Sequence, residues 1–204
     1  MEITRRPVAA RSNEQIKSLA ARLAASRITP NQISLASLIF AAFAAWVLGW
    51  RDGIGDVLAI LFIQLRLLCN VLDGLVAVEG GRKSVLGPLF NEFPDRISDS
   101  LILIAAGYAC AMPAWGWLGA LLAVLTAYVR LFGGAIGLAQ DFRGPMAKQI
   151  RMHVISAGCA FGFFESLLSH SHLGLRAAVV VVAIGSAITC VTRTLAIARQ
   201  MPQP

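Results

Sequence analysis

The feature that most constrains this chain is the uninterrupted stretch at residues 100–129, which contains no charged side chain. A helix needs about 20 apolar residues to cross a bilayer, so the stretch is too long for one span. Met112-Pro113-Ala114, followed by Trp115 and Trp117, supplies a break, because proline interrupts helices and tryptophan favours the membrane interface. The stretch therefore predicts two membrane-spanning helices joined by a short turn.

The rest of the chain extends this pattern to an all-α integral membrane protein with six transmembrane helices. Of its 204 residues, 57% are hydrophobic, whereas a soluble domain has about 45–50%, and the mean hydropathy is +0.69. No internal repeat or second domain is visible. The predicted spans are about Ile33–Trp50, Val57–Val78, Leu89–Met112, Trp115–Gly137, Met152–Leu168 and Leu173–Ala198.

Residues 1–28 are predicted to form a basic N-terminus with an amphipathic interfacial helix, and residues 29–204 the six-span domain. The helix is expected from Ser12, where a capping-box pattern begins. Apolar residues repeat on one of its faces, which suits a helix in the headgroup plane, and a solvated helix packed on nothing is the alternative. This apolar face consists of Ile16, Leu19, Ala20 and Leu23.

The net charge of +7 does not indicate nucleic-acid binding, because the basic residues are scattered between apolar spans. Most of those outside the spans lie in the N-terminal segment, the second and fourth loops and the C-terminal end. The first and fifth loops hold only Arg51 and Arg176. By the positive-inside rule, both termini and the polar site described next face the cytoplasm, in the cytoplasmic (inner) membrane.

Polar residues gather at the adjoining ends of the second and third spans, where an ionisable group is costly unless it has a partner or a task. Helical periodicity places Asn70 and Asp73 on one side of the second span and Asn91, Asp95 and Asp99 on one side of the third. Oxygen donors from two facing helices suit Mg²⁺ or Mn²⁺, as one or two ions, and a bound cation would hold a diphosphate. Nearby glycines, Gly74 and Gly87, leave room for a substrate to approach the backbone.

This stretch resembles the signature of the CDP-alcohol phosphatidyltransferases, which are integral membrane enzymes. Their motif reads Asp-x-x-Asp-Gly-x-x-Ala-Arg, eight residues, then Gly-x-x-x-Asp-x-x-x-Asp. The spacing matches throughout, but asparagines replace two aspartates and a valine replaces the arginine, as in a divergent member. The matching positions are Asn70, Asp73, Gly74, Ala77, Val78, Gly87, Asn91 and Asp95.

The resemblance implies transfer of a phosphatidyl or similar substituted phosphate from a CDP-linked donor, such as CDP-diacylglycerol, to a small alcohol, with release of CMP. It assigns Asp95 as the catalytic base and Asp73 as the central metal ligand, places Gly74, Ala77 and Gly87 along the nucleotide, and implies a homodimer among membrane lipids. The two asparagines should weaken metal binding. Compensation could come from Asp99, one turn beyond Asp95, or from Glu92, which is rotated about 100° from Asn91.

Three further residues are substrate-binding candidates with an alternative role. Asn31 follows Thr29-Pro30 at the start of the first span, where the resemblance implies a nucleotide contact and helix capping is the alternative. Arg66 lies one turn before Asn70 and could face a phosphate or form an internal salt bridge. Arg82, in the Gly-rich second loop, could touch phosphate or serve as a turn and topological anchor.

Basic residues in the second half of the chain complete the candidate substrate site. Arg130 belongs to a Tyr-x-Arg that the family often carries at this place, and a buried arginine needs an anion, either a ligand or an aspartate of the site. Lys148 and Arg151 lie in a segment resembling the one that approaches the substrate headgroup in the family. Membrane topology alone could also explain these two cations.

Two other functions compete with the transferase. A catalytically silent relative would bind nucleotide lipid or a partner protein, and aspartates restored at Asn70 and Asn91 would then create activity. A six-span transporter would use the intramembrane charges as a permeation path, but no inverted repeat supports it. The acceptor alcohol is open, although the basic residues favour a phosphorylated one such as glycerol phosphate or inositol phosphate.

Overall fold

The computed structural model describes residues 13–50, 52–81, 85–168 and 172–201. These residues form seven α-helices and no strand, as the all-α prediction required. The helices are α1 Glu14–Ala25, α2 Pro30–Leu48, α3 Gly53–Glu79, α4 Gly87–Ala109, α5 Pro113–Ala135, α6 Lys148–Ser166 and α7 Leu173–Ala198.

Local sequence explains where several helices begin. Thr29 and Gln32 form the reciprocal capping box of α2, with Pro30 in the first turn. The side chain of Asp52 accepts a 2.6 Å hydrogen bond from the amide of Gly55, so α3 begins at Gly53. The predicted start of the second span at about Val57 is therefore one turn too late, because this cap lets the helix begin earlier.

The start of α6 also differs from the sequence-based prediction, which placed Lys148 and Arg151 in a loop. Both residues lie in the first turn of α6, which begins at Lys148. Charge made this turn look like a connection, yet the two side chains reach carboxylates on other helices. The α5–α6 connection is accordingly shorter, at residues 136–147.

Four of the described helices, α2, α3, α5 and α7, are long and apolar enough to cross a membrane. The all-α membrane class is therefore confirmed, and four of the six predicted spans meet this criterion. The other two long helices, α4 with 23 residues and α6 with 19, carry several charged side chains. Asp95 and Asp99 on α4 and Arg151 on α6 are buried inside the bundle, whereas Glu92, Arg96 and Lys148 are partly buried.

Helix packing brings the polar ends of α3, α4 and α6 together. Helix α2 packs on α3 and α4, α6 packs on α3 and α7, and α5 packs between α4 and α7. A close approach of α4 and α5 depends on Gly107, whose added Cβ would lie 2.7 Å from the Cα of Gly116. One large apolar core fills the bundle, and large side chains such as Trp46 and Leu121 point outward, as expected of lipid-facing positions.

Helix α1 packs against the bundle through part of its predicted apolar face. Ala20 is fully buried beside Leu72 and Val76 of α3, with Ile16 and Leu23 partly buried around it. This packing excludes the alternative of a helix that contacts nothing. Leu19, on the same apolar face, is 39% exposed. Asn13 caps the helix by accepting from the amide of Gln15.

Candidate active site

The predicted site begins with Asn70 and Asp73 on α3. Asp73 is buried, and one of its carboxylate oxygens accepts a 2.7 Å hydrogen bond from the hydroxyl of Ser34 on α2. Asn70 donates its amide N–H to the carbonyl of Arg66 at 3.0 Å. This bond fixes the amide orientation and leaves the side-chain oxygen of Asn70 pointing toward a cation. Ser34 was not among the residues predicted from the sequence.

Asp95 on α4 is the residue at which three helices meet. Its Oδ2 contacts the Lys148 ammonium of α6, which also donates to the side-chain oxygen of Asn70 at 3.3 Å. Its Oδ1 lies 3.4 Å from Nη2 of Arg66 on α3. Only 3% of Asp95 is exposed. The position to which the resemblance assigns the catalytic base is therefore a buried carboxylate held between a lysine and an arginine.

Asp99 occupies a different position from the one predicted for a metal ligand. Its two oxygens bind two arginines, Arg66 at 2.6 Å and Arg151 at 2.7 Å. All three side chains are nearly inaccessible to solvent, at 1%, 0% and 2% exposure. Asp99 is thus neutralised inside the protein by two arginines and ties α3 and α6 to α4.

The same contacts revise the substrate-binding predictions for Arg66 and Arg151. Of the two alternatives for Arg66, the internal salt bridge is confirmed. Arg151 also donates from Nη1 to the carbonyl of Met146 at 2.9 Å, and this bond fixes the last residues of the α5–α6 connection. Neither guanidinium faces open space, because both are buried on Asp99.

Arg130 has a partner that was not predicted for it, the carboxylate of Glu92. Its Nη2 donates to Glu92 at 2.6 Å, its Nη1 donates to Gln140 at 2.6 Å, and its guanidinium lies 5.5 Å from the ring centre of Phe142. The expected anion is therefore a glutamate of the chain. Glu92 is thus engaged by Arg130 and also lies 3.7 Å from Arg96.

Helix α7 holds the α5–α6 connection in place. Arg193 donates to the carbonyls of Arg143 at 2.9 Å and Thr126 at 2.7 Å, and Thr189 accepts from the amide of Met146 at 3.0 Å. Burial would raise the pKa of Asp141 in this connection, but hydrogen bonds from the side chain and amide of Arg143 outweigh it and hold the pKa below its usual range. Sequence reasoning missed Arg193 and Thr189, which only the folded chain places here.

The remaining predicted residues surround this centre less closely. Thr29, and not Asn31, provides the cap of α2, and Asn31 is half-buried in its first turn. Gly74 and Ala77 are half-buried on α3, and a Cβ added at Gly87 would meet nothing within 4 Å. Asn91 is exposed on α4, one turn before Asp95. Arg82 lies outside the described residues.

The donor set is compatible with a hard divalent cation, although its charge is reduced. Among the described residues no three His, Cys, Asp or Glu side chains are arranged to hold a metal, because the third donor here is the amide of Asn70. That amide oxygen and Asp95 nevertheless converge on one positive charge, the Lys148 ammonium. Asp73 is close enough to interact electrostatically with both Lys148 and Asp95. Oxygen donors that already surround a cation fit Mg²⁺ or Mn²⁺.

Comparison with known proteins gives a related sequence and related folds. The chain matches no protein-family model. It is 36% identical to the archaetidylinositol phosphate synthase of Aeropyrum pernix over 151 residues, which cover 69% of this chain and 72% of that protein.

Two crystal structures of the Mycobacterium tuberculosis phosphatidylinositol phosphate synthase share the fold at 18% identity. The complex with manganese and citrate superposes with a TM-score of 0.76, covering 89% of this chain and 88% of that one. The structure with CDP-DAG bound gives 0.77, with coverage of 91% and 94%. Together with the signature spacing and the buried carboxylates on α3 and α4, the sequence relationship shows that this chain belongs to the CDP-alcohol phosphatidyltransferase family.

Proposed function

We propose that this protein transfers a phosphatidyl-type group from a CDP-linked lipid to a phosphorylated polyol, with Asp95 as the catalytic base. The reaction class follows from the family: a membrane transferase of phospholipid biosynthesis moves a substituted phosphate from a CDP-linked donor to an alcohol and releases CMP. The observation that carries the residue assignment is the convergence of Asn70, Asp95 and Lys148 from three helices.

In the proposed reaction, a hydroxyl oxygen of the acceptor attacks the lipid-bearing phosphorus. A new P–O bond forms there while the bond to the CMP oxygen breaks, and Asp95 takes the proton of the hydroxyl. Asn70, Asp73 and Asp95 would hold a divalent cation, Mg²⁺ or Mn²⁺, which when bound neutralises the diphosphate. Because Asn91 is exposed and Asp99 is paired, we propose one ion and not two.

The nucleotide is proposed to lie along Gly74, Ala77 and Gly87, with Asn31 and Arg82 as further contacts. Open space beside Gly87 supports this placement. Arg130 is proposed to contribute to substrate binding indirectly, because it holds the side chains of Glu92 and Gln140 beside the site. Lys148 is the cation best placed to contact a phosphate, because 25% of its side chain is exposed.

The acceptor is proposed to carry a phosphate group, as inositol phosphate does. Around Asp73, Glu92, Asp95 and Asp99 lie more cationic side chains than carboxylates, so the site favours an anionic ligand. These cations are Arg66, Arg96, Arg130, Lys148 and Arg151. The Aeropyrum relative is an archaetidylinositol phosphate synthase and the Mycobacterium relative a phosphatidylinositol phosphate synthase, which supports the same class of acceptor.

The membrane arrangement is also a proposal. Helices α4 and α6 would cross the membrane with the four apolar ones, since Asp95, Asp99 and Arg151 are buried within the bundle, and α1 would lie in the interface. The lysine and arginine distribution supports a cytoplasmic location for both termini and the site. A homodimer is expected from the family resemblance.

The test is CMP release by purified protein in lipid nanodiscs containing CDP-diacylglycerol. Inositol phosphate, glycerol phosphate and unphosphorylated inositol would be compared in Mg²⁺, Mn²⁺ and chelator, with Asp95→Ala as the inactive control. We expect metal-dependent release that requires a phosphorylated acceptor and Asp95. Binding of the nucleotide lipid without release for any acceptor would instead support the catalytically silent relative.

A further inference from the structure

We propose that Lys148 is an exchangeable counterion: its ammonium holds Asn70 and Asp95 in the ligand-free enzyme and leaves them when a divalent cation binds. The inference rests on the part of the proposed function that places a divalent cation at these oxygens. Metal binding and the position of Lys148 are then coupled, because the Lys148 ammonium occupies the metal site when no metal is bound.

The same pair of oxygens binds the Lys148 ammonium and would bind the divalent cation. Lys148 donates to Oδ1 of Asn70 at 3.3 Å and to Oδ2 of Asp95, so it bridges α3 and α4 from the first turn of α6. Two positive charges a few ångströms apart repel strongly where little water screens them. A divalent cation on these oxygens therefore requires the ammonium to withdraw.

Lys148 can withdraw from Asp95, whereas Arg66 and Arg96, the other basic residues near Asp95, are also held by other carboxylates. Arg66 is 0% exposed and bound to Asp99, and Arg96, 3.9 Å from Asp95, also lies against Glu92. Lys148 is 25% exposed on a flexible four-carbon stem. Its departure leaves the Arg66 contact on Asp95 intact and brings the ammonium toward solvent or an anionic ligand.

Asn70, the asparagine of the motif, binds the Lys148 ammonium less strongly than an aspartate would. Asn70 offers the ammonium a neutral amide oxygen at 3.3 Å, where an aspartate would offer a second charge. Hydrogen bonds to charged acceptors are about twice as strong as those to neutral ones. The substitution therefore weakens the hold on Lys148 as well as on a metal, which keeps the exchange between them reversible.

The main experiment measures Mn²⁺ binding to the full chain in nanodiscs by the loss of the free Mn²⁺ signal in electron paramagnetic resonance, without nucleotide. We expect Lys148→Met to lower the Kd for Mn²⁺ at least tenfold, because the competing charge is gone. Lys148→Arg keeps that charge and should remain within about threefold of the parent protein. Lys17→Met, which removes an exposed lysine on α1, is the matched control and should have no effect.

A second measurement follows Lys148 in the unaltered protein. Labelling by an amine-reactive reagent, mapped by mass spectrometry, should rise severalfold at Lys148 when Mn²⁺ is added, while Lys17 serves as the internal reference. This readout requires no variant to fold.

The proposal is overturned if Lys148→Met binds Mn²⁺ no more tightly than the parent, if labelling of Lys148 does not rise, or if neither protein binds Mn²⁺. These outcomes are separate from CMP release. Tighter Mn²⁺ binding by the variant together with a parent protein that releases no CMP would sustain the exchange while refuting the proposed function.

Discussion

Replacing Asp99 with asparagine would leave two buried guanidinium groups facing a neutral side chain. Arg66 and Arg151 each donate to a separate oxygen of Asp99, at 2.6 and 2.7 Å, and all three side chains are at most 2% exposed. Within the described structure, Nε and Nη1 of Arg66 and Nε of Arg151 already lack hydrogen-bond partners. Asp99 is therefore the main compensation for both charges, and we expect Asp99→Asn to destabilise the fold.

The size of the effect follows from the burial. Removing one partner of a buried ion pair costs about 3–5 kcal/mol, because the remaining charge is uncompensated. Asparagine keeps one oxygen that can accept from one arginine, so we expect the lower end, about 3 kcal/mol. For a chain of this size, about 2–4 °C of Tm accompanies each kcal/mol, which gives a decrease of about 6–12 °C.

The assay is thermal unfolding of the purified variant in detergent, paired with Mn²⁺ binding. Glu14→Gln is the control, since it breaks an ion pair of similar length, 2.9 Å, whose glutamate is 87% exposed, and it should shift Tm by less than about 2 °C. If Asp99→Asn melts like the parent but no longer binds Mn²⁺, Asp99 is a metal ligand and does not stabilise the fold as the counterion of Arg66 and Arg151.

Three further predictions concern the site itself. Asp95→Asn should reduce CMP release by about 10²- to 10⁴-fold, the range expected for loss of a general base, while the protein still binds CDP-diacylglycerol; unchanged release would exclude Asp95 as the base. Ser34→Ala removes the 2.7 Å hydrogen bond to Asp73 and should raise the Kd for Mn²⁺ about tenfold, with Thr192→Ala, on the exposed side of α7, as a control that should not change it. Asn70→Asp adds a negative charge at the metal donors and should lower the Mn²⁺ concentration needed for half-maximal CMP release; a higher requirement would contradict the assignment of Asn70 as a donor.

Most helix positions could be predicted from local sequence, because the signals that start and end helices are themselves local. The predicted bounds of α7, Leu173–Ala198, agree with the structure, and Thr29 caps α2 as its Thr-Pro sequence indicates. The errors arose where charge was taken as a sign of a loop. Gly53–Asp56 and the first turn of α6 at Lys148 are helical, because tertiary contacts or a cap accommodate their charges.

The candidate site was predictable in its facing residues but not in its partners. Periodicity correctly placed Asp95 and Asp99 on one buried face of α4, yet Asn91 on the same stripe is exposed, since it lies one turn closer to the helix start. The bonds of Asp99 to its two arginines and of Arg130 to Glu92 join residues between 33 and 52 positions apart. Such pairs depend on which helices pack together, and that cannot be obtained from a single periodic pattern.

The attachment of the α5–α6 connection to α7 also has a consequence for biogenesis. Thr189 and Arg193 come after every other residue of the site in order of synthesis, yet they hold the backbone that leads to Lys148 and Arg151. A ribosome-bound chain in which α2 to α6 have been synthesised would therefore contain the signature residues without the support that positions the lysine. Catalytic competence should appear only after α7 has been synthesised and has packed against the α5–α6 connection.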